Sequence, residues 1–168
     1  MNLIKSISLI TLMIMASSCG TNNNETQQQS AEPIVTDVFA KGNPLGENPN
    51  FTGEAWLQMF VTPADSMDCT VGNVTFAPGV RNSWHSHPGG QILLCTSGKG
   101  YYQEKGKPVQ ILSPGDVVKI APDVIHWHGA TPDSEFTHIA IGTQTSKGGA
   151  VWYEPVSDEE YNNLNNQN

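Results

Sequence analysis

Positive charge is scarce in this chain. It has one arginine, Arg81, and 8 Lys+Arg against 16 Asp+Glu, for a formal net charge of −8 at pH 7. No basic stripe runs along it, so the electrostatic footprint of a nucleic-acid binder is missing. Acidity of this degree speaks for solubility and selects no substrate. Cysteine is equally sparse, three in 168 residues, too few for a disulfide scaffold. Cys69 and Cys95 fall in stretches that read as strands, where a buried thiol behaves as a small apolar group. A bridge between them is the less favoured reading, because spacing alone does not supply the geometry. Also absent are a phosphate-cradling glycine loop, a nucleophile elbow, a dinucleotide fingerprint and any fixed-period repeat. Past the first twenty residues no useful length of apolar residues at 3.6 spacing occurs, which removes helical bundles.

What is present begins with a leader. Lys5 precedes a largely apolar stretch, Ile7 to Met15, too short to span a bilayer. Small residues then run into Cys19 as Ala16-Ser17-Ser18-Cys19-Gly20. This resembles a bacterial lipobox and predicts that residues 1–18 are a lipoprotein signal peptide, with Cys19 the lipid-modified first residue. An ordinary secretory signal with a chance cysteine is the alternative. Thr21 to Glu32 is polar and without apolar period, the composition of a flexible tether. Residues 19–50 are therefore read as tether and N-terminal arm, with Lys41 to Asn50 a loop. The expected setting is extracytoplasmic, on the periplasmic side or the cell surface, and the lipid on Cys19 is the only membrane contact expected.

From Phe51 the pattern changes to short strands separated by Gly/Pro turns. Strands are expected at 55–61, 69–76, 83–87, 91–97, 100–104, 109–112, 117–121, 126–129, 136–142 and 151–154. Many short strands at this spacing predict an all-β sandwich or barrel over residues 51–156. One helix is expected, where Ser157-Asp158-Glu159-Glu160 forms a capping box ahead of Tyr161 and Leu164, so residues 157–168 read as helix and tail.

All five histidines lie between positions 85 and 138. In a strand His85 and His87 project to one face. The turn Pro88-Gly89-Gly90 lets Gln91 return to that face, and a curling sheet would bring His126 to it as the fourth corner. Buried imidazoles need partners, and a divalent cation satisfies several at once.

The segment Gly79, His85, His87, Gln91, Gly98 matches every spacing of the first motif of the cupins, with Gln91 where Glu is usual. Gly115 to His126 resembles the second motif and sets His126 at its metal-ligand position. Ala121, Asp123 and Ala130 stand where Pro, Gly and Asn are usual. The resemblance implies a double-stranded β-helix, a jelly-roll-like barrel, holding one divalent transition metal on His85, His87, Gln91 and His126. Manganese is foremost, and iron, nickel, cobalt and zinc suit the same donors. His85 to Gln91, His126 to Ala130, Thr137 to Ile141, Phe51-Thr52-Gly53 and Glu154 to Glu159 look like one subgroup of single-domain cupins. It contains manganese-dependent hydroxynitrile lyases of the (R)-mandelonitrile type and cupins linked to carboxymuconolactone decarboxylases.

His138 shares a strand face with Phe136 and Ala140, and an imidazole there could take or return a proton. His128 is the second catalytic candidate, with a supporting role beside the metal as its alternative. Trp84 and Trp127, next to inward ligands, should point outward and pack on the N-terminal arm or a second subunit. Trp56, Phe76 and Tyr101 are candidates for a pocket wall, with a cross-strand ladder the favoured place for Tyr101, and Arg81 is expected at the surface, with an anion clamp as its alternative. The leading function is a metal-dependent lyase acting on a small hydroxyl- or carbonyl-bearing molecule. An iron dioxygenase and a non-catalytic ligand- or metal-binding module are the alternatives. The resemblance also implies a homodimer.

Overall fold

The computed structural model describes residues 38–164. The expected leader, Cys19 and most of the tether lie outside the described residues, as do residues 165–168. Besides two single-turn 3-10 helices at Pro63–Asp65 and Thr145–Lys147, eleven strands and one α-helix follow in chain order. They are β1 (Asn43–Pro44), β2 (Ala55–Val61), β3 (Cys69–Phe76), β4 (His85–Ser86), β5 (Gln91–Gly98) and β6 (Gly100–Glu104). Then come β7 (Gln110–Leu112), β8 (Val117–Ile120), β9 (His126–Ala130), β10 (Phe136–Thr143), β11 (Val151–Trp152) and α1 (Asp158–Leu164). Almost every expected strand is present within a residue or two. The strand expected at 83–87 is confined to β4, and residues 43–44, read as loop, pair with β2. Pro44 donates no hydrogen bond, so it is tolerated here because β1 is an edge strand.

The strands form two antiparallel sheets, ordered β1-β2-β3-β10-β5-β8 and β11-β4-β9-β6-β7. Alternation along each strand sends one set of side chains inward. Phe76, Leu93, Val118, Tyr102 and Phe136 meet between the sheets in the main core. The opposite face of β3 is covered by the start of the described chain. Asn73 Nδ2 donates to the carbonyl of Ala40 at 3.1 Å, and Lys41 Nζ stands 3.6 Å above the ring of Trp56.

Trp84 and Trp127 do face away from the barrel interior, but α1 covers them rather than an arm or a second subunit. They form a second core with Tyr101, Val156, Tyr161 and Leu164. The helix starts with the expected reciprocal cap: Ser157 N donates to Glu160 Oε2 at 2.8 Å, and Glu160 N to Ser157 Oγ at 3.1 Å. Arg81 is 4 % exposed, not superficial. Its Nε and Nη2 both donate to the Val156 carbonyl, at 3.2 and 3.0 Å, and Nη2 also to Asp158 Oδ1 at 2.6 Å. The guanidinium carbon lies 4.5 Å from the Tyr161 ring centroid. The lone arginine is thus the clamp between barrel and helix, a role for which its planar fork suits it. Among the described residues no helix is long and apolar enough to cross a membrane.

Cys69 and Cys95, the cysteines among the described residues, are free thiols. Cys69 pairs with Thr143 and Cys95 with His138, on opposite sides of β10. Five residues of strand are about 17 Å, beyond any disulfide span.

Two outcomes follow. Arg81→Leu should cost about 2 kcal/mol of stability by urea denaturation, because a buried, charge-assisted anchor is lost. Asp158→Asn should cost under about 1 kcal/mol, since that carboxylate is largely solvated. Burial pushes the Cys95 thiol up to about 11, so it stays protonated at pH 8. Iodoacetamide at pH 8 should leave Cys95 unlabelled in the folded protein and modify it after unfolding, read by peptide mass. Rapid native labelling of Cys95 would contradict this packing.

Candidate metal and catalytic centre

The site is built on a turn and two short strands. His85 of β4 lies directly opposite His126 of β9, and their ring centroids are 4.1 Å apart. The chain then turns through Pro88-Gly89-Gly90, with Gly90 N donating to the His87 carbonyl at 3.0 Å. Gly90 has φ +86°, and a Cβ on Gly89 would lie 1.8 Å from the Thr143 carbonyl oxygen. No other residue fits there, because the turn is pressed against the end of β10. Gln91 thereby enters β5 opposite Gly142, with its side chain toward the histidines. Asp123, where the related motif has glycine, takes φ +61° and donates its N–H to the His87 carbonyl at 3.0 Å. Aspartate tolerates this left-handed conformation better than most residues, so the departure leaves the turn intact.

The imidazoles are oriented from behind. His85 Nδ1 donates to the Ser83 carbonyl at 3.0 Å and His126 Nδ1 to the Val124 carbonyl at 2.9 Å. With Nδ1 carrying the proton, each Nε2 holds a lone pair. His126 Nε2 stands 3.1 Å from Gln91 Oε1. As oriented, these are two acceptors with no proton between them. His87 Nε2 is buried and has no hydrogen-bond partner. Burial lowers the proton affinity of His85 and His87 and takes His126 down to about 4, so all three are neutral near pH 7. Converging lone pairs, a buried orphan nitrogen and neutral rings are the donor chemistry of a divalent cation.

The histidines whose ligand atoms all lie within 4.8 Å of one another are His85, His126 and His128, and His87 of the expected set is not among them. His128, however, already has a partner that the sequence reading missed. Asn82 Oδ1 accepts from the His128 backbone N–H at 3.0 Å, which sets its amide nitrogen beside the ring, 3.2 Å from Nε2 and 3.4 Å from Nδ1. That bond competes for the lone pair of His128. No local spacing links Asn82 to His128; only the fold does.

His138 is fully buried and packs against both Phe76 and Phe136, with centroid distances of 5.8 and 5.1 Å. The edge of His128 meets it at 4.8 Å, and neither of its ring nitrogens has a partner. Burial pushes it down to about 3. Both rings therefore stay neutral at working pH.

Beside these groups lies a cavity of about 120 Å³, which His126 does not line. Asn82, His85, His87, Gln91 and His128 make its polar side. Phe51, Val74, Phe76, Ala140 and Trp152 make the apolar side. Of the aromatics expected to line a pocket, Phe76 does so; Trp56 and Tyr101 are not among the wall residues. His138 is not a wall residue either, and sits behind His128 and Phe76. Phe51 and Trp152 reach the site from opposite ends of the domain, which is why the sequence concealed them.

Comparison with known proteins agrees with this geometry. The cupin domain family model (Cupin_2) matches residues 72–142. An (R)-mandelonitrile lyase from Granulicella tundricola is 40% identical over 127 residues, which are 76% of this chain and 97% of that protein. A crystal structure of a cupin-like protein from Thermotoga maritima is 51% identical, with a TM-score of 0.74 over 77% of this chain and 97% of that one. A predicted oxalate decarboxylase from the same organism superposes with a TM-score of 0.56 over 66% of this chain and 98% of its own, at 18% identity, a likeness of fold alone. The chain is a cupin and belongs to the family that includes that (R)-mandelonitrile lyase.

Proposed function

We propose that this protein is a metal-dependent lyase of the hydroxynitrile type, cleaving a small hydroxyl-bearing substrate to a carbonyl compound and hydrogen cyanide. The observation that carries the reading is one small cavity with lone-pair donors on one wall and apolar side chains on the other. The relationship to the (R)-mandelonitrile lyase supports it. His85, His87, Gln91 and His126 would hold the ion, because His87 Nε2 lacks a partner whereas Asn82 occupies His128. A bound divalent cation, manganese foremost, supplies Lewis-acid stabilisation of the developing negative charge.

The protein's own residues handle the proton. His128 faces the cavity and is neutral, so a ring nitrogen takes the hydroxyl proton once Asn82 yields it. An unpartnered nitrogen of His138 then accepts a hydrogen bond from the imidazolium. The oxygen lone pair closes to a carbonyl, the C–C bond breaks, and its electrons leave with cyanide. The proton returns from His128 to that anion. Phe51, Val74 and Trp152 hold the substituent and exclude water.

On the same reading the protein works outside the cytoplasm, tethered by a lipid on Cys19, as a homodimer acting on a small molecule. Incorporation of labelled palmitate, lost in Cys19→Ser, checks the anchor, and light scattering checks the dimer.

Manganese-loaded protein should release benzaldehyde from mandelonitrile anaerobically. His128→Ala and His138→Ala should each lower kcat by about 10²–10⁴-fold with metal content retained, and His85→Ala should lose the metal, read by elemental analysis. Oxygen uptake by the iron form would point to a dioxygenase. Tight ligand binding without turnover, unchanged in His138→Ala, would point to a binding module.

A further inference from the structure

The inner cavity is small for the work assigned to it. Small-molecule sites commonly enclose about 300–1,000 Å³, against about 120 Å³ here. A much larger cleft of about 840 Å³ lies beside it, walled by the segment from Pro44 to Glu54. Phe51 is the one wall residue that the two spaces share.

The ring of Phe51 is held on both sides. Inward, it stacks on Phe76 at a centroid distance of 5.7 Å and 30°. Across the mouth it meets Trp152 at 6.1 Å and 55°. A third ring between two others needs about 7 Å, twice the contact distance of carbon atoms, so nothing aromatic passes in this arrangement. The backbone of Phe51 is fixed as well. It bridges Asn82, its N–H donates to the Asn48 carbonyl at 3.0 Å, and Ser83 N donates to the Asn50 carbonyl at 2.8 Å. Asn82 is the residue whose amide contacts His128. The partition is therefore rigidly placed and tied to the catalytic wall.

Trp152 is held less firmly. It is 37 % exposed, on the two-residue edge strand β11, which pairs only with β4. Gly148, at φ +133°, and Gly149 precede it.

We propose that Phe51 is a specificity-determining residue: its ring closes the inner cavity against the outer cleft and so limits the substituent of the substrate to about one small ring. Removing the ring joins the two spaces and admits bicyclic substituents. This rests on the lyase reading for its substrate class, and only there. The outer cleft is where the larger substituent would go. Its rim carries Glu47 and Glu54, so the class it admits is neutral or cationic, with anionic substituents disfavoured by charge.

The test compares wild type, Phe51→Ala, Phe51→Leu and Phe51→Trp as metal-loaded full-length protein. Binding of benzaldehyde and 2-naphthaldehyde is measured by calorimetry, alongside cleavage of the two matching cyanohydrins. In Phe51→Ala the ratio of naphthyl to phenyl should rise at least about tenfold in both binding constant and kcat/KM. Phe51→Leu should fall between, and Phe51→Trp should lower the naphthyl ratio below wild type. Thermal melting and metal content identify any variant that fails to fold, and Phe51→Leu, which keeps most of the packing volume, then decides. Unchanged ratios in folded variants overturn the gate while leaving the lyase intact. Ratios that shift in binding, with no cyanohydrin cleaved by any form, support the gate and overturn the lyase. Absence of binding by wild type and variants alike overturns the gate.

Discussion

Five imidazoles packed into one end of a barrel form a constraint that the surrounding structure has to meet. A protonated ring is costly to bury, so these side chains exist there as neutral donors of lone pairs. Every lone pair and every N–H then needs a partner. His85 and His126 meet half of that demand through the carbonyls two residues back, just ahead of their strands. This leaves a lone pair on each Nε2, and the His85 ring lines the cavity. His138 meets none of it. It is retained against two phenyl rings, where stacking compensates for part of its isolation. An unsatisfied pair of nitrogens at no exposure costs about 1–3 kcal/mol for each, and such a cost is most readily understood at a place where protons move.

The same constraint shapes the back of the barrel. A strand that sends His85 and His126 inward must send Trp84 and Trp127 outward, because alternation leaves no other choice. Two indoles in water would lose a large burial term, so something has to cover them. The helix α1 does so with Tyr161 and Leu164, and Arg81 fastens it to the sheet. Tyr161 adds a hydrogen bond from its hydroxyl to the Ala130 carbonyl at 2.7 Å, tying the helix to β9, the strand that carries His126 and His128. The terminal helix is thus continuous with the site through a few side chains.

Much of this was legible in the sequence, for identifiable reasons. Strands were found because glycine and proline punctuate them at short intervals, and the capping box marked the helix to the residue. The inward face of β9 and β10 followed from alternation, which correctly paired His126 with His128 and His138 with Ala140. Depth along a strand is not encoded by alternation, and so nothing foretold that His138 lies behind the cavity wall. Contacts between distant segments were equally hidden. Trp152 reaches His85 from across the chain, with ring centroids 4.8 Å apart, and the anchoring of Arg81 depends on a helix docked about 75 residues later. Composition suggested a surface arginine because arginine usually is one; only the fold supplies the carbonyl that draws it in.

The residue that most narrows the chemistry is Gln91. No carboxylate lines the cavity among the described residues, and the donor set proposed for the ion is entirely neutral. A divalent ion held by glutamate would keep a net charge near +1; held by three imidazoles and an amide oxygen it keeps nearly +2. Such a centre stabilises an anion more strongly, yet the facing wall of Val74, Phe76 and Ala140 cannot solvate one. The two walls together favour a guest that enters neutral, turns its apolar part to the phenyl side, and develops negative charge only at the histidine side. A molecule already charged would lose its hydration on entry; a wholly apolar one would leave the ion unsatisfied. A cyanohydrin has the required asymmetry, because its charge appears during the reaction and departs with cyanide.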